Sequence, residues 1–378
     1  MPSEAINQLV RALDERKSDG SIRALTTPSG LIDFCSNDYL GFSRSHELKE
    51  NIRAEIDRLP DMQIGSTGSR LISGNSKYCE ELENKVAEFH HAEAGLIFNS
   101  GYDANLGIFS SIPQRTDTVL YDQLVHASIR DGIRLSYARS FTFRHNDLDD
   151  LERRLNQATG NVYVAVESVY SMDGDSAPLR EIAQLCSSHG ANLVVDEAHA
   201  TGVFGENGEG RVVELDVQDA VFARVHTFGK ALGAHGAVIL GSETLRSYLV
   251  NFARPFIYTT ALPFHSLAAI HYAYKLLISD YTPCRRLRHL ISIFNSQLDE
   301  PLKSNFIGSD SAIRSLLKPG NRNVKKVAND IRSGGFDVRP IMHPTVPAGS
   351  ERIRICIHAF NTEEEIGNLI HTLNTALT

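Results

Sequence analysis

Between residues 95 and 240 the chain alternates short apolar runs with stretches of helical periodicity. Residues 95–98, 118–121, 161–166, 191–195, 223–227 and 237–240 are rich in Val, Ile, Leu and Ala, and most give way at once to a polar residue or glycine. Such runs mark strands buried on both faces. Residues 148–157 and 179–189, which fall between them, carry apolar positions at helical spacing. This order predicts an α/β class with a mostly parallel central sheet covered on both sides, and with ligand groups at the carboxyl ends of its strands. Ahead of it, residues 5–16 read as an amphipathic helix, 31–35 as a short strand, and 80–90 as a helix whose apolar face is Leu82, Val86 and Phe89. Beyond about residue 275 the texture changes to helices at 285–298, 324–334 and 363–373 around strands at 337–341 and 352–357. The expected organisation is an N-terminal arm (1–45), a large domain (46–275) and a smaller α+β domain (276–378).

Composition narrows the class of partner. With 378 residues, 42% hydrophobic and 22% charged, the chain has the make-up of an ordinary globular protein, and its net charge of −8 argues against nucleic acid as a principal ligand. No stretch reaches the length of about 20 apolar residues that a membrane span needs, and residues 1–8 lack a basic start followed by an apolar run. A cytoplasmic location is therefore expected. The five cysteines are scattered, odd in number and without C-x-x-C spacing, so neither a disulfide framework nor a metal site is expected.

The candidate chemistry gathers at the predicted strand ends. Asn99-Ser100-Gly101-Tyr102 follows the first strand and offers amides at a helix start to a phosphate. Asp122 with His126 follows the second, Glu167-Ser168 and Ser171 the third, Asp196-Glu197-Ala198-His199 the fourth, and Thr227 with Lys230 the fifth. Lys230 stands alone among small and apolar residues, a setting that favours a neutral, nucleophilic amine able to condense with an aldehyde. Asp196 ends the apolar run Leu193-Val194-Val195, where an uncompensated carboxylate is costly and a cationic partner is expected. A protonated pyridine nitrogen is such a partner, and pyridoxal 5'-phosphate accounts for the amine, the carboxylate and the phosphate-binding groups together. Two other readings fail on spacing. Asp196-Glu197-Ala198-His199 spells a helicase box, but no G-x-x-x-x-G-K-[ST] exists to hold a triphosphate, and Gly205, Gly208 and Gly210 do not form a dinucleotide fingerprint. A catalytically silent binding protein would have no use for Lys230.

At these residues the chain resembles the α-oxoamine synthases, pyridoxal phosphate enzymes of fold type I. The resemblance rests on Ser36-Asn37-Asp38-Tyr39-Leu40-Gly41, Gly65-Ser66-Thr67-Gly68-Ser69-Arg70-Leu71, Ser171-Met172-Asp173-Gly174-Asp175, Asp196-Glu197-Ala198-His199 and Thr227-Phe228-Gly229-Lys230, in that order along the chain. It implies that Lys230 bears the cofactor and moves the substrate proton, that Asp196 pairs with the pyridinium, that His199 hydrogen-bonds the ring hydroxyl and that His126 stacks on the ring. Gly101, Tyr102, Ser171 and Thr227 match phosphate-site positions, Thr260 matches one supplied by the second subunit of a homodimer, and Arg354 matches the arginine that holds the amino acid carboxylate. The motifs are most similar to the biotin-pathway branch, which joins L-alanine to a pimeloyl thioester; a glycine-using branch is the alternative. The loop at 65–74, with Ser69 and Arg70, is then expected at the acyl entrance. One departure concerns the donor: Met342-His343 stands where that branch commonly has Arg-Pro. Either Arg70 or another base serves the far end of the acyl chain, or that end is masked on an acyl carrier protein docked at Arg285, Arg286, Arg288 and His289.

Overall fold

The computed structural model describes residues 3–377 apart from Thr26, Pro28, Ser29 and Pro60. The chain divides into two compact units, one formed by Asn37–Ser171 with Ser176–Leu287, the other by the described residues up to Ser36, Met172–Asp175 and the residues from Arg288 onward.

The larger unit is built on a seven-stranded sheet: β1 (Ala94–Phe98), β2 (Thr118–Asp122), β3 (Arg139–Phe143), β4 (Val162–Glu167), β5 (Asn192–Asp196), β6 (Val221–Thr227) and β7 (Ala237–Gly241). Their order across the sheet is β1-β7-β6-β5-β4-β2-β3, and β7 alone runs antiparallel to its neighbours. The six strands that share one direction are joined through helices, so both faces are covered and Val119, Val164, Val195 and Val225 are fully buried. The sequence places six of the seven strands within two residues of their ends. It misses β3, an edge strand exposed at four of its five positions. Being solvated, β3 needs no apolar run: Arg-Ser-Phe-Thr-Phe pairs along its backbone with β2 alone.

Register decides what the site contains. Glu167 and Asp196 are Cα partners at the carboxyl ends of β4 and β5, so their side chains leave the sheet on the same face, side by side. The helix Gly101–Ser111 begins three residues after β1, capped by the Ser100 hydroxyl, which accepts from the Asp103 amide at 3.1 Å.

In the smaller unit Arg339–Ile341, Arg352–Cys356 and Ile313–Leu317 form an antiparallel sheet with Arg352–Cys356 in the middle, and Ile32–Asp33 pairs in parallel with Phe336–Asp337. The expected strand at 337–341 is thus two short strands in different sheets, divided at the buried Val338. Asp173 forms an ion pair with Arg352, and the Ser311 hydroxyl donates to the Gly174 carbonyl at 2.8 Å. Gly174 adopts φ +81° with the Ile313 carbonyl pressed against it, so no side chain fits there. No helix among the described residues is long and apolar enough to cross a membrane, and no group of His, Cys, Asp and Glu among them is placed to hold a metal ion.

Candidate active site

The carboxyl ends of β1, β2, β4, β5 and β6 bring Lys230, His199, Asp196, Glu167 and His126 into one network. The Lys230 Nζ lies 2.6 Å from His199 Nε2, and His199 Nδ1 lies 2.7 Å from the hydroxyl of Tyr39, a residue with no exposed surface. Asp196 is buried: its Oδ2 accepts from Asn105 Nδ2 at 2.7 Å and its Oδ1 from the Ala198 amide at 2.9 Å. The same Asn105 nitrogen donates to Ser128 Oγ at 3.0 Å. Ser128 in turn meets His126 Nδ1 through its hydroxyl, at 2.8 Å, and through its amide, at 3.2 Å. One buried asparagine thereby ties the carboxylate at the end of β5 to the histidine that caps the helix Ala127–Leu135.

Charge in this network is set by burial. Desolvation, followed by the neighbouring Asp196, pushes Glu167 up to about 8. Desolvation also lowers His126, and Lys230 adds to the effect while Asp196 opposes it; His126 keeps exposed surface, so that desolvation is partial. With Nδ1 accepting from the Ser128 amide, the neutral His126 ring carries its proton on Nε2. Glu197 takes no part here. Its carboxylate accepts from the Arg211 and Val212 amides, both at 3.1 Å, so the two acids of the helicase-like box serve different places.

The phosphate-site candidates stand around the start of Gly101–Ser111. A Cβ on Gly101 would lie 3.5 Å from Thr227 Cγ2, so Thr227 abuts the helix start whose first amides are without intrahelical partners. Thr227 Oγ1 accepts from the Gly229 amide at 3.3 Å, and the Ser171 amide donates to Glu167 Oε2 at 3.2 Å. The Tyr102 side chain turns outward and donates to Asp131 at 2.6 Å. Thr260 is exposed, and its carbonyl accepts from Asn99 Nδ2 at 2.9 Å. Arg354 lies in the smaller unit, buried on the central strand of its sheet, in register with Arg339.

Arg70 has partners within the chain. Its guanidinium makes a two-pronged ion pair with the buried Glu83 and donates to Asn75 Oδ1 at 2.6 and 2.9 Å. Glu83 Oε1 also accepts from the Ile97 amide at 2.8 Å, so Arg70 anchors the loop to β1. The loop itself is packed, with the Ser66 hydroxyl on the Leu262 carbonyl at 2.9 Å and the Ala261 amide on the Gly68 carbonyl at 3.0 Å. Residue pattern alone also leaves out Asn105 and Ser128. The only sequence signal for Asn105 is its place one helical turn beyond Gly101.

A family model described as aminotransferase class I and II matches residues 29–373. The chain belongs to this family of fold type I pyridoxal phosphate-dependent transferases, on its α-oxoamine synthase branch. It is 45% identical to the 8-amino-7-oxononanoate synthase of Emericella nidulans over 98% of this chain and 95% of that one. The aminoacyl transferase sphA of Aspergillus fumigatus is 37% identical, covering 97% and 86%. Among solved structures, serine palmitoyltransferase from S. paucimobilis superposes with a TM-score of 0.88 at 25% identity over 98% and 97% of the two chains. The 8-amino-7-oxononanoate synthase of Francisella tularensis does so with 0.79 at 29%, over 92% and 98%.

The residues present fit that cofactor. Among the described residues Asp196 has two neutral hydrogen-bond donors and no ion-pair partner, the setting in which a buried carboxylate calls for a cation. The amine of Lys230 and the helix start at Gly101 supply the groups that an aldehyde and a phosphate require.

Proposed function

We propose that this enzyme condenses L-alanine with a pimeloyl thioester, releasing carbon dioxide and the thiol, to give 8-amino-7-oxononanoate. The observation that carries the reading is the full-length identity of 45% to a synthase of that name, together with the Lys230 amine held 2.6 Å from His199. Bound pyridoxal phosphate supplies an electron sink for the α-carbanion of the amino acid. The chain's own groups do the rest. Lys230 attaches the cofactor through its aldehyde and, once displaced by the substrate amine, removes and returns the α-proton. Asp196 would hold the ring nitrogen in its charged form, His199 would bond the ring hydroxyl and His126 would stack on the ring. The amides of Gly101 and Tyr102 and the hydroxyls of Ser171 and Thr227 take the phosphate, with Thr260 contributed by a second copy in a homodimer. Arg354 receives the amino acid carboxylate through a bidentate guanidinium, and Ser69 stands on the loop that borders the acyl path. The donor is carried by coenzyme A or by an acyl carrier protein; His289 of the basic run is paired with Glu363 at 2.8 Å on the surface.

The test has two arms. Borohydride reduction of the cofactor-loaded enzyme followed by peptide mapping is expected to mark Lys230, and Lys230→Ala to leave a folded protein without turnover; a mark on another lysine ends the reading. Mass analysis of products from alanine, glycine or serine offered with pimeloyl and palmitoyl thioesters is expected to show the alanine–pimeloyl product. Turnover confined to serine with the long-chain donor, or to glycine, would reassign the substrate while keeping the reaction class.

A further inference from the structure

The turn that carries Asn37 and Tyr39 has no role in the chemistry above, yet it ends on the catalytic amine. The hydroxyl of Tyr39 sits 3.2 Å from Asn37 Oδ1 and 2.7 Å from His199 Nδ1, and His199 Nε2 sits 2.6 Å from Lys230 Nζ. Tyr39 and His199 are both buried. Four groups therefore stand in a row, and their hydrogens are not independent. An amide oxygen only accepts, so Asn37 fixes the single hydroxyl hydrogen of Tyr39 on its own side. With its hydrogen directed at Asn37 Oδ1, the Tyr39 oxygen presents a lone pair to His199 Nδ1, and the tautomer that pairs with it carries its hydrogen there. Nε2 is left bare, and a bare nitrogen at 2.6 Å accepts from an ammonium but gives nothing to a free amine.

We propose that Tyr39, oriented by Asn37, is a positioning residue that selects the His199 tautomer and through it holds Lys230 in its ammonium form until the cofactor or substrate takes the amine. Asp196 and Glu167 also act on Lys230 from the neighbouring strand ends and favour its charged form, while His126 opposes it; the bare Nε2 adds to the carboxylates against the burial that favours the neutral amine. The inference rests on the reading of Lys230 as the cofactor-bearing residue, and the two fail separately.

The experiment is competitive acetylation of the full-length, cofactor-free chain with acetic anhydride from pH 6 to 10, with the Lys230 peptide quantified by mass spectrometry against a reference amine. Asn37→Leu removes the acceptor without opening room for a water. The Tyr39 hydroxyl then turns to His199 Nδ1, Nε2 gains the hydrogen, and an N–H faces the ammonium. The Lys230 reactivity curve is expected to move to lower pH by about one unit, the worth of one hydrogen bond to a charged group. Tyr39→Phe leaves the tautomer unselected and is expected to move the curve in the same direction by less. That order, with the larger shift from the residue farther from the lysine, is not what lost packing would produce. Curves of Asn37→Leu and parent that superimpose, or a larger shift in Tyr39→Phe than in Asn37→Leu, overturn the proposal whether or not Tyr39→Phe folds well. Lys230 failing to carry the cofactor in the reduction experiment above would instead remove the functional reading on which it stands.

Discussion

Replacing Glu167 with Gln should make the cofactor-free protein more stable, and increasingly so as pH rises. Glu167 and Asp196 are in-register neighbours at the ends of β4 and β5, both buried, and this holds Glu167 at about 8 where a free glutamate titrates near 4.5. A raised acid contributes its full stability below the unfolded pKa, here about 4.5, and loses it as pH climbs through the folded value of about 8. At about 1.4 kcal/mol per pH unit, the parent gives up a few kcal/mol across that window, with about 5 kcal/mol as the ceiling. The amide of Glu167→Gln does not titrate, while its oxygen still accepts from the Ser171 amide. Urea unfolding of both chains at pH 5, 6.5 and 8 isolates the difference, since every other titrating group is common to the two and cancels. The midpoints should nearly coincide at pH 5 and separate in favour of the variant at pH 8, by roughly 3 kcal/mol, with unchanged slope. A separation that is the same at all three values, or a variant less stable at pH 8, refutes the argument that burial, with Asp196 beside it, holds Glu167 neutral.

Two further outcomes follow from particular contacts. Arg70→Met should cost roughly 3 kcal/mol in urea unfolding, because among the described residues it leaves the buried Glu83 with Arg246, at 3.5 Å, as its remaining counter-ion. It should leave the KM for the acyl donor unchanged; a raised KM with parental stability would return Arg70 to the substrate. Asp196→Asn should still take up cofactor but lower kcat far more than KM, since the negative charge acts mainly while carbanion electrons enter the ring, and parental turnover would dismiss the strand-end assignment.

What the chain displays openly is whatever burial on two faces enforces. Strands β1, β2 and β4 to β7 are apolar because nothing else survives between two helical layers, and all of them but the antiparallel β7 send their carboxyl ends to one edge of the sheet. That is why Lys230, Asp196, His199 and His126 all follow apolar runs in the sequence. Elements with a solvated face or a built-in charge escape the same reading. β3 is exposed, and Ile313–Leu317 encloses Arg314 and Ser315, so its pattern breaks although Arg314 is buried. The roles of Asn105 and Tyr39 depend on partners 91 and 160 residues away, and no local pattern records such a pairing.

Arg70 has a partner that a local signal does not display. In a run of Gly and Ser a single arginine reads as a cation waiting for a ligand, because small residues leave it no visible partner. Its partner is Glu83, on the helix Lys77–Phe89, where the apolar spacing of Leu82, Val86 and Phe89 points to a core face and says nothing of an acid beside it. Burying Glu83 is costly unless a cation reaches it, and burying Arg70 alone is equally costly. The pair solves both problems at once and fastens the glycine-rich loop to β1 through the Ile97 amide. A loop so fastened keeps one shape at the place where an acyl chain would enter. On this geometry the loop turns Leu71 and Ile72 outward, while the charge at residue 70 is committed to Glu83.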